Sequence, residues 1–227
     1  MNNKITNNIN FVNKKAWLFD LDNTLYSPEL KIFDQIDLRM KIFISQKLNI
    51  PIEEAFKIQK NYYHCYGTTL YGLMKNYNCD PNEFLKFVHD INFEKLERNE
   101  DLYKKISLLP GCKVVYTNGD EDYANKILIK LGLDKVFFDI FDIRKANFIP
   151  KPKAESILAL LNKYKLKAEN CVYFEDLEKN LKTGHDYGMT TIHISKNQKT
   201  FDCASFINFR FKTVNDALDV IHRSIFN

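Results

Sequence analysis

Ten residues, Trp17-Leu18-Phe19-Asp20-Leu21-Asp22-Asn23-Thr24-Leu25-Tyr26, constrain this chain more than any other stretch. The apolar run from Ala16 to Phe19 is short, aromatic-rich and bounded by Lys15 and by polar residues, which predicts a central strand handing over to a loop at its carboxyl end. In parallel α/β sheets that edge is where ligands bind. Two carboxylates placed there resist ionising together, so Asp20 and Asp22 require a cation, a proton or a donor-rich loop beside them. A phosphate-handling site with Mg²⁺ would supply that compensation.

The rest of the chain alternates strands with helices. Ser27-Pro28-Glu29 opens a predicted helix running to Leu48, with Ile32, Phe33, Ile36, Met40, Phe43, Ile44 and Leu48 in a stripe expected to pack as core. Pro51 starts a second helix, a polar-aromatic knot follows from Tyr62 to Met74, and Asp80-Pro81 opens a short helix ending near His89-Asp90. From Leu96 a helix reaches Pro110-Gly111. Strands are then expected at 113–117, at or near 136–143, at 171–174, at 191–195 and at 206–209, with helices between them and a last helix from Val214. Right-handed crossovers make this an α/β fold with a doubly wound, mostly parallel, Rossmann-like sheet. The expected organisation is a flexible lead-in over 1–14, a core domain from 15–27 and 96–227, and a helical subdomain inserted at 28–95.

Several classes lose support. With 33 basic against 29 acidic residues, the net charge of +4 is spread along the chain, unlike a nucleic-acid footprint. Cys65, Cys79, Cys112, Cys171 and Cys203 form no C-x-x-C pair, which argues against a disulfide framework or a thiolate zinc site. No stretch has the length and apolarity of a membrane span or signal peptide, so a cytoplasmic protein with no membrane partner is expected. Neither G-x-G-x-x-G nor G-x-x-x-x-G-K-[ST] occurs, which removes the main support for dinucleotide and P-loop sites.

Three predicted strands end in reactive residues: Asp20 and Asp22, Thr117-Asn118-Gly119, and Glu175-Asp176, with Lys151 between the last two. Singly, each is an ordinary turn, helix cap or loop residue. In this order, at one sheet edge, they resemble the four motifs of the haloacid dehalogenase (HAD) superfamily of phosphohydrolases: Asp20-x-Asp22-x-Thr24, Thr117, Lys151, and Glu175-Asp176. Asp20-Leu21-Asp22-Asn23-Thr24-Leu25-Tyr26, Tyr66-Gly67-Thr68-Thr69-Leu70-x-Gly72-Leu73, Lys151-Pro152 and Glu175-Asp176-Leu177-x-x-Asn180-Leu181 are similar to the pyrimidine 5′-nucleotidase branch.

The resemblance implies a HAD-type core with the 28–95 insertion as its cap, and a chemistry. Asp20 attacks phosphorus to give an aspartyl-phosphate that water hydrolyses, and Asp22 serves as acid and then base. Phosphate is held by the Thr117 hydroxyl, Lys151 and the backbone amides around Leu21, Asp22 and Asn118. Mg²⁺ is held by Asp20 and Asp176, by the Asp22 carbonyl, and by Glu175 through water. Thr24 and Asn180 orient loops. Asp22 favours phosphate esters over halides, since a halide leaves without a proton. In the cap, Tyr62, Tyr63, Tyr66, Thr68 and Thr69 are candidate substrate contacts. His89-Asp90 reads as a polar hinge or a surface pair, and His64, His185, His193 and His222 as structural. The expected function is a Mg²⁺-dependent phosphatase of a small phosphorylated metabolite, first a pyrimidine nucleoside 5′-monophosphate, in a monomer or homodimer. The alternatives are a phosphatase or phosphomutase acting on a sugar phosphate or phosphoglycolate, and a non-catalytic binding protein on the same fold.

Overall fold

A computed structural model describes residues 11–196 and 204–226. Strand β1 (Ala16–Phe19) is fully buried, and its alternating side chains divide the core in two, as the period of a strand requires. Trp17 and Phe19 share one face with Val115, Val172 and Phe174, while Ala16 and Leu18 share the other with Val114, Tyr116 and Tyr173. Phe19 stacks on Phe174 with centroids 4.3 Å apart and planes 7° from parallel. Burying each such ring contributes about 1.5–3 kcal/mol.

Strands β2 (Cys112–Tyr116), β3 (Asp139–Phe141), β4 (Cys171–Glu175), β5 (Thr190–Ile194) and β6 (Phe209–Phe211) complete the sheet. All neighbours are parallel, in the order β3-β2-β1-β4-β5-β6. The order reverses beside β1, with Phe19 paired to Val115 on one side and Phe174 on the other. That reversal opens a crevice at the carboxyl ends of β1 and β4. Helices α5 (Glu100–Leu108), α6 (Glu121–Leu131) and α9 (Val214–Phe226) cover the Trp17 face; α7 (Ala154–Lys163) and α8 (Glu178–Asp186) cover the Leu18 face. The doubly wound parallel sheet is therefore present.

Between β1 and α5 lie α1 (Ile32–Leu48), α2 (Ile52–Tyr66), α3 (Thr69–Tyr77) and α4 (Pro81–Val88). Helix α1 packs on α2 and α4, and α2 packs on α3. The stretch read as a knot is a helical break: α2 stops at Gly67, whose φ of 92° suits glycine, and Thr68 caps α3 by accepting from the Tyr71 amide at 3.2 Å.

Other boundaries shift locally. Pro28–Leu30 form a short 3₁₀ turn ahead of α1, because Lys31 adopts a left-handed conformation. Helix α5 starts at Glu100, where Asn99 Oδ1 accepts from the Leu102 amide. The last strand lies at 209–211 rather than 206–209. Residues 1–10 of the expected lead-in and Cys203 lie outside the described residues. Within the described part of that stretch, Phe11–Asn13 form a 3₁₀ turn and Phe11 packs against Trp17 and Phe209. Trp17 Nε1 donates to the Pro110 carbonyl at 2.6 Å. The four described cysteines, Cys65, Cys79, Cys112 and Cys171, are free thiols. No helix among the described residues is long and apolar enough to cross a membrane.

Candidate active site

The polar residues singled out at the strand ends converge on the crevice. Asp20 follows β1 directly, and its amide donates to Phe174 O at 2.9 Å, so the strand pairing fixes its backbone. Its two oxygens are both engaged: Lys151 Nζ donates to Oδ1 at 2.6 Å and Thr24 Oγ1 donates to Oδ2 at 2.9 Å. Thr24, expected to orient the loop, thus touches Asp20 itself.

Lys151 is buried and spends its ammonium on three acceptors, Asp20, the Tyr116 carbonyl at 2.9 Å and Glu175 Oε1 at 3.5 Å. Burial alone would lower its pKa, but the charges of Asp20 and Glu175 outweigh this and hold it above the ordinary lysine value. Asn118 clamps the lysine's main chain from both sides: Lys151 N donates to Asn118 Oδ1 at 2.8 Å, and Asn118 Nδ2 donates to Lys151 O at 3.3 Å. Thr117 is anchored through its amide on Phe141 O at 3.1 Å, and its Oγ1 accepts from Gly119 N at 2.9 Å. The amides of Leu21, Asp22 and Asn118 have no acceptor among the described residues. Unpaired donors beside an ammonium form a ready anion cradle.

The acidic end lies across the crevice. Asp20, Glu175 and Asp176 bring carboxylate oxygens within 4.8 Å of one another. Burial and the charge of Asp20 push Glu175 well above the usual carboxylate range, and the same causes push Asp176 up to about 8. Asn180 Nδ2 donates to Glu175 Oε1, while Glu175 Oε2 is buried without a donor. Asn180, read as a loop anchor, thus holds the carboxylate itself. Hard, crowded, partly unsatisfied oxygens are a donor set suited to Mg²⁺. His193 supports this end. Arg210 Nη1 can only donate to His193 Nδ1, at 2.8 Å, so Nε2 carries the proton and donates to the Asp176 carbonyl at 2.9 Å.

Asp22 is held separately. Tyr26 and Tyr123 each donate a hydroxyl to its Oδ1 at 2.5 Å. Burial and Asp20 raise its pKa, against the opposing effect of these two bonds. Neither tyrosine was marked as a site residue by the sequence. Tyr26 carried a signal, lying one turn beyond Asp22; Tyr123 carried none, being 101 residues away.

These groups face a cleft of ≈ 560 Å³ that continues between the sheet edge and α1–α4. Its far wall is mostly apolar: Phe33, Ile36, Met40, Leu70, Phe84, Leu85 and Val88. The stripe on α1 packs as expected, with Ile32, Ile36, Phe43 and Ile44 buried in the core and Phe33, Met40 and Leu48 against it; Phe33, Ile36 and Met40 line the cleft as well. Of the aromatic and hydroxyl candidates, Tyr63, Thr68 and Thr69 line it, while Tyr62 and Tyr66 are not among its lining residues. Tyr62 instead sits over Gly72, where a Cβ would lie 2.4 Å from its ring, and meets Tyr66 edge-on. At the mouth, Lys179 Nζ lies 3.6 Å from the centroid of Tyr63. His89 is buried and lines the cleft, whereas Asp90 is exposed and pairs with Arg39 at 3.1 Å.

The haloacid dehalogenase-like hydrolase family model matches residues 14–188, and the chain belongs to that family. It is similar to glyceraldehyde 3-phosphate phosphatase of Methanocaldococcus jannaschii, 29% identical over 91% of this chain and 96% of that protein. Phosphate metabolism protein 8 of Saccharomyces cerevisiae is 24% identical over 78% of this chain and 60% of that protein. Among solved structures, a HAD phosphatase from Thermococcus onnurineus superposes with a TM-score of 0.62 at 20% identity, covering 91% of this chain and 97% of that one. The magnesium-bound HAD hydrolase YfnB of Bacillus subtilis gives 0.60 at 17%, covering 94% and 99%. At these identities the structural likeness concerns the fold.

Proposed function

We propose that the protein is a Mg²⁺-dependent phosphatase of small phosphate monoesters, working through a phosphorylated Asp20. One observation carries the reading: Asp20 sits between Lys151 and Thr24, in a crevice where the amides of Leu21, Asp22 and Asn118 have no acceptor among the described residues, with a second carboxylate two residues on. In the first half-reaction an Asp20 oxygen attacks phosphorus, the bond from phosphorus to the ester oxygen breaks, and Asp22 gives that oxygen its proton. In the second, water attacks the same phosphorus, Asp22 takes the water's proton, and the bond to Asp20 breaks. Thr117, Lys151 and the free amides balance the charge on the transferring group. Asp20, Asp176 and Glu175, with the Asp22 carbonyl, would hold Mg²⁺, which supplies further positive charge at the phosphoryl oxygens. Thr24 and Asn180 keep Asp20 and Glu175 oriented.

Residues 28–95 act as a cap that selects the leaving group. A pyrimidine nucleoside 5′-monophosphate is the preferred substrate, supported by the size of the cleft, its apolar far wall and Tyr63 at its mouth. The likeness to a glyceraldehyde 3-phosphate phosphatase favours a second reading, a three-carbon sugar phosphate.

The test is phosphate release from UMP, CMP, glyceraldehyde 3-phosphate, phosphoglycolate and an aryl phosphate, with Mg²⁺ and with chelator. Turnover should require Mg²⁺ and disappear in Asp20→Asn; full activity in that variant would falsify the nucleophile assignment. If UMP and CMP rank below the sugar phosphates, the second reading replaces the first.

A further inference from the structure

Asp22 is held in an unusual way for a group that must pass a proton. Tyr26, from the turn after β1, and Tyr123, from the first turn of α6, both donate to the same oxygen, Oδ1, at 2.5 Å. Oδ2 makes no hydrogen bond among the described residues. Two donors on one oxygen fix both side-chain torsions of an aspartate and leave the other oxygen available for chemistry.

Tyr123 is itself immobilised. Its ring stacks on His89, with centroids 4.2 Å apart and planes 13° from parallel. Asp120 Oδ1 accepts both from the Tyr123 amide at 2.9 Å and, across 3.2 Å, from His89 Nδ1. A Cβ on Gly119 would lie 2.9 Å from the Tyr123 ring, so the ring has no room to swing that way. His89 directly follows α4, and Arg144 links Asp120 to Asn82 on that helix. The orientation of Asp22 is thus tied, through one stacked pair, to the seating of α4.

We propose that Tyr26 and Tyr123 are positioning residues that hold Asp22 by Oδ1 so that Oδ2 carries the proton to and from the ester oxygen, with His89 holding Tyr123 in place. The inference rests on the acid–base reading of Asp22. The proton on Oδ2 moves to the ester oxygen as the bond to phosphorus breaks, the bonding electrons staying with that oxygen; Oδ2 later receives a proton from the attacking water. The tyrosines keep their own protons throughout. A packing role alone predicts a loss of stability on removing a hydroxyl, with no dependence on the leaving group.

That contrast supplies the experiment. We would measure kcat/KM, which for this mechanism reports transfer to Asp20, with 2,4-dinitrophenyl phosphate, whose leaving group needs no proton, and with a simple alkyl phosphate, whose leaving group does. Asp22→Asn is the reference and should lose activity on the alkyl ester far more than on the dinitrophenyl ester. Tyr26→Phe and Tyr123→Phe should each show the same asymmetry, about tenfold or more on the alkyl ester, a part of the roughly 10²–10⁴-fold that general acids contribute. His89→Ala should show a smaller version of it. Circular dichroism and thermal melting would report folding, and Tyr26→Phe leaves Tyr123 in place should the α6 variant fail to fold. Equal losses on both esters in the tyrosine variants, with Asp22→Asn asymmetric, would overturn the positioning roles alone. If Asp22→Asn is itself symmetric, the acid–base reading falls and the inference with it. Symmetry confined to His89→Ala would remove His89 from the device.

Discussion

Lys151 Nζ lies 2.6 Å from Asp20 Oδ1 across 131 residues of chain, with both side chains out of solvent. The ammonium offsets the charge of two carboxylates at one sheet edge, since Glu175 also reaches it at 3.5 Å. Lys151→Met keeps the bulk and removes the charge. It leaves Asp20 and Glu175 buried without their cation, a change that costs about 3–5 kcal/mol. Urea unfolding should show that loss, and phosphate release should fall by about two orders of magnitude or more for want of the donor. A variant as stable and active as the wild type would remove Lys151 from both roles.

The parts of this site that could be read from the sequence are those fixed by strand ends. Asp20, Thr117 and Glu175 each close or follow a short continuous apolar run, the mark of a strand buried on both faces, so their meeting at one edge follows from parallel pairing. Lys151 lies in a loop, and its place came from the order of the motifs. Contacts set by helix orientation were not legible. Tyr123 is a third-position residue of α6 whose direction depends on how that helix packs. Tyr62 and Tyr66 share α2 with Tyr63, but successive helical side chains point about 100° apart, so Tyr63 lines the cleft while Tyr62 lies on Gly72 of α3. Phe33 and Met40 pack against the core and also line the cleft; a helical stripe shows only the first role, because a cleft wall and a core wall are equally apolar.

The acidic cluster makes stability depend on pH in an unusual direction. Burial and mutual repulsion hold Asp176 at about 8 and raise Asp22 and Glu175, so the folded protein keeps protons that the unfolded chain has released. A folded state that binds more protons loses stability as pH rises, here through the window from the ordinary carboxylate range up to about 8. Mg²⁺ held by the deprotonated oxygens would reverse the trend. With chelator, melting temperature should fall between about pH 5.5 and pH 8.5; the gain on adding Mg²⁺ should be larger at the higher pH. A gain independent of pH would place the metal elsewhere.

His193 gives a way to weaken the metal end without touching a ligand side chain. Burial, helped by the charge of Arg210, lowers its pKa, so the ring is neutral at pH 7 and donates from Nε2 to the Asp176 carbonyl. Removing such a support from a ligating loop costs about 10–100-fold in metal affinity. His193→Ala should weaken Mg²⁺ by that factor in titration calorimetry, and saturating Mg²⁺ should restore most of the turnover. Unchanged affinity would limit His193 to packing.

The cleft wall offers the sharpest choice between the two substrate readings. Phe33 and Met40 are half-buried on α1 and line the cleft together with the more deeply buried Phe84 and Val88. A base carried by a nucleotide would bury against that wall, whereas a three-carbon chain has little apolar surface to offer it. Truncating one wall residue forfeits about 1.5–3 kcal/mol of burial, made equally in ground and transition state, so KM rises while kcat holds. Phe33→Ala and Met40→Ala should therefore each raise KM for UMP by about tenfold or more and leave the kinetics with glyceraldehyde 3-phosphate nearly unchanged. If both substrates suffer alike, the wall acts by shaping the Asp20 site rather than by receiving the base, and the nucleotide reading loses its structural support.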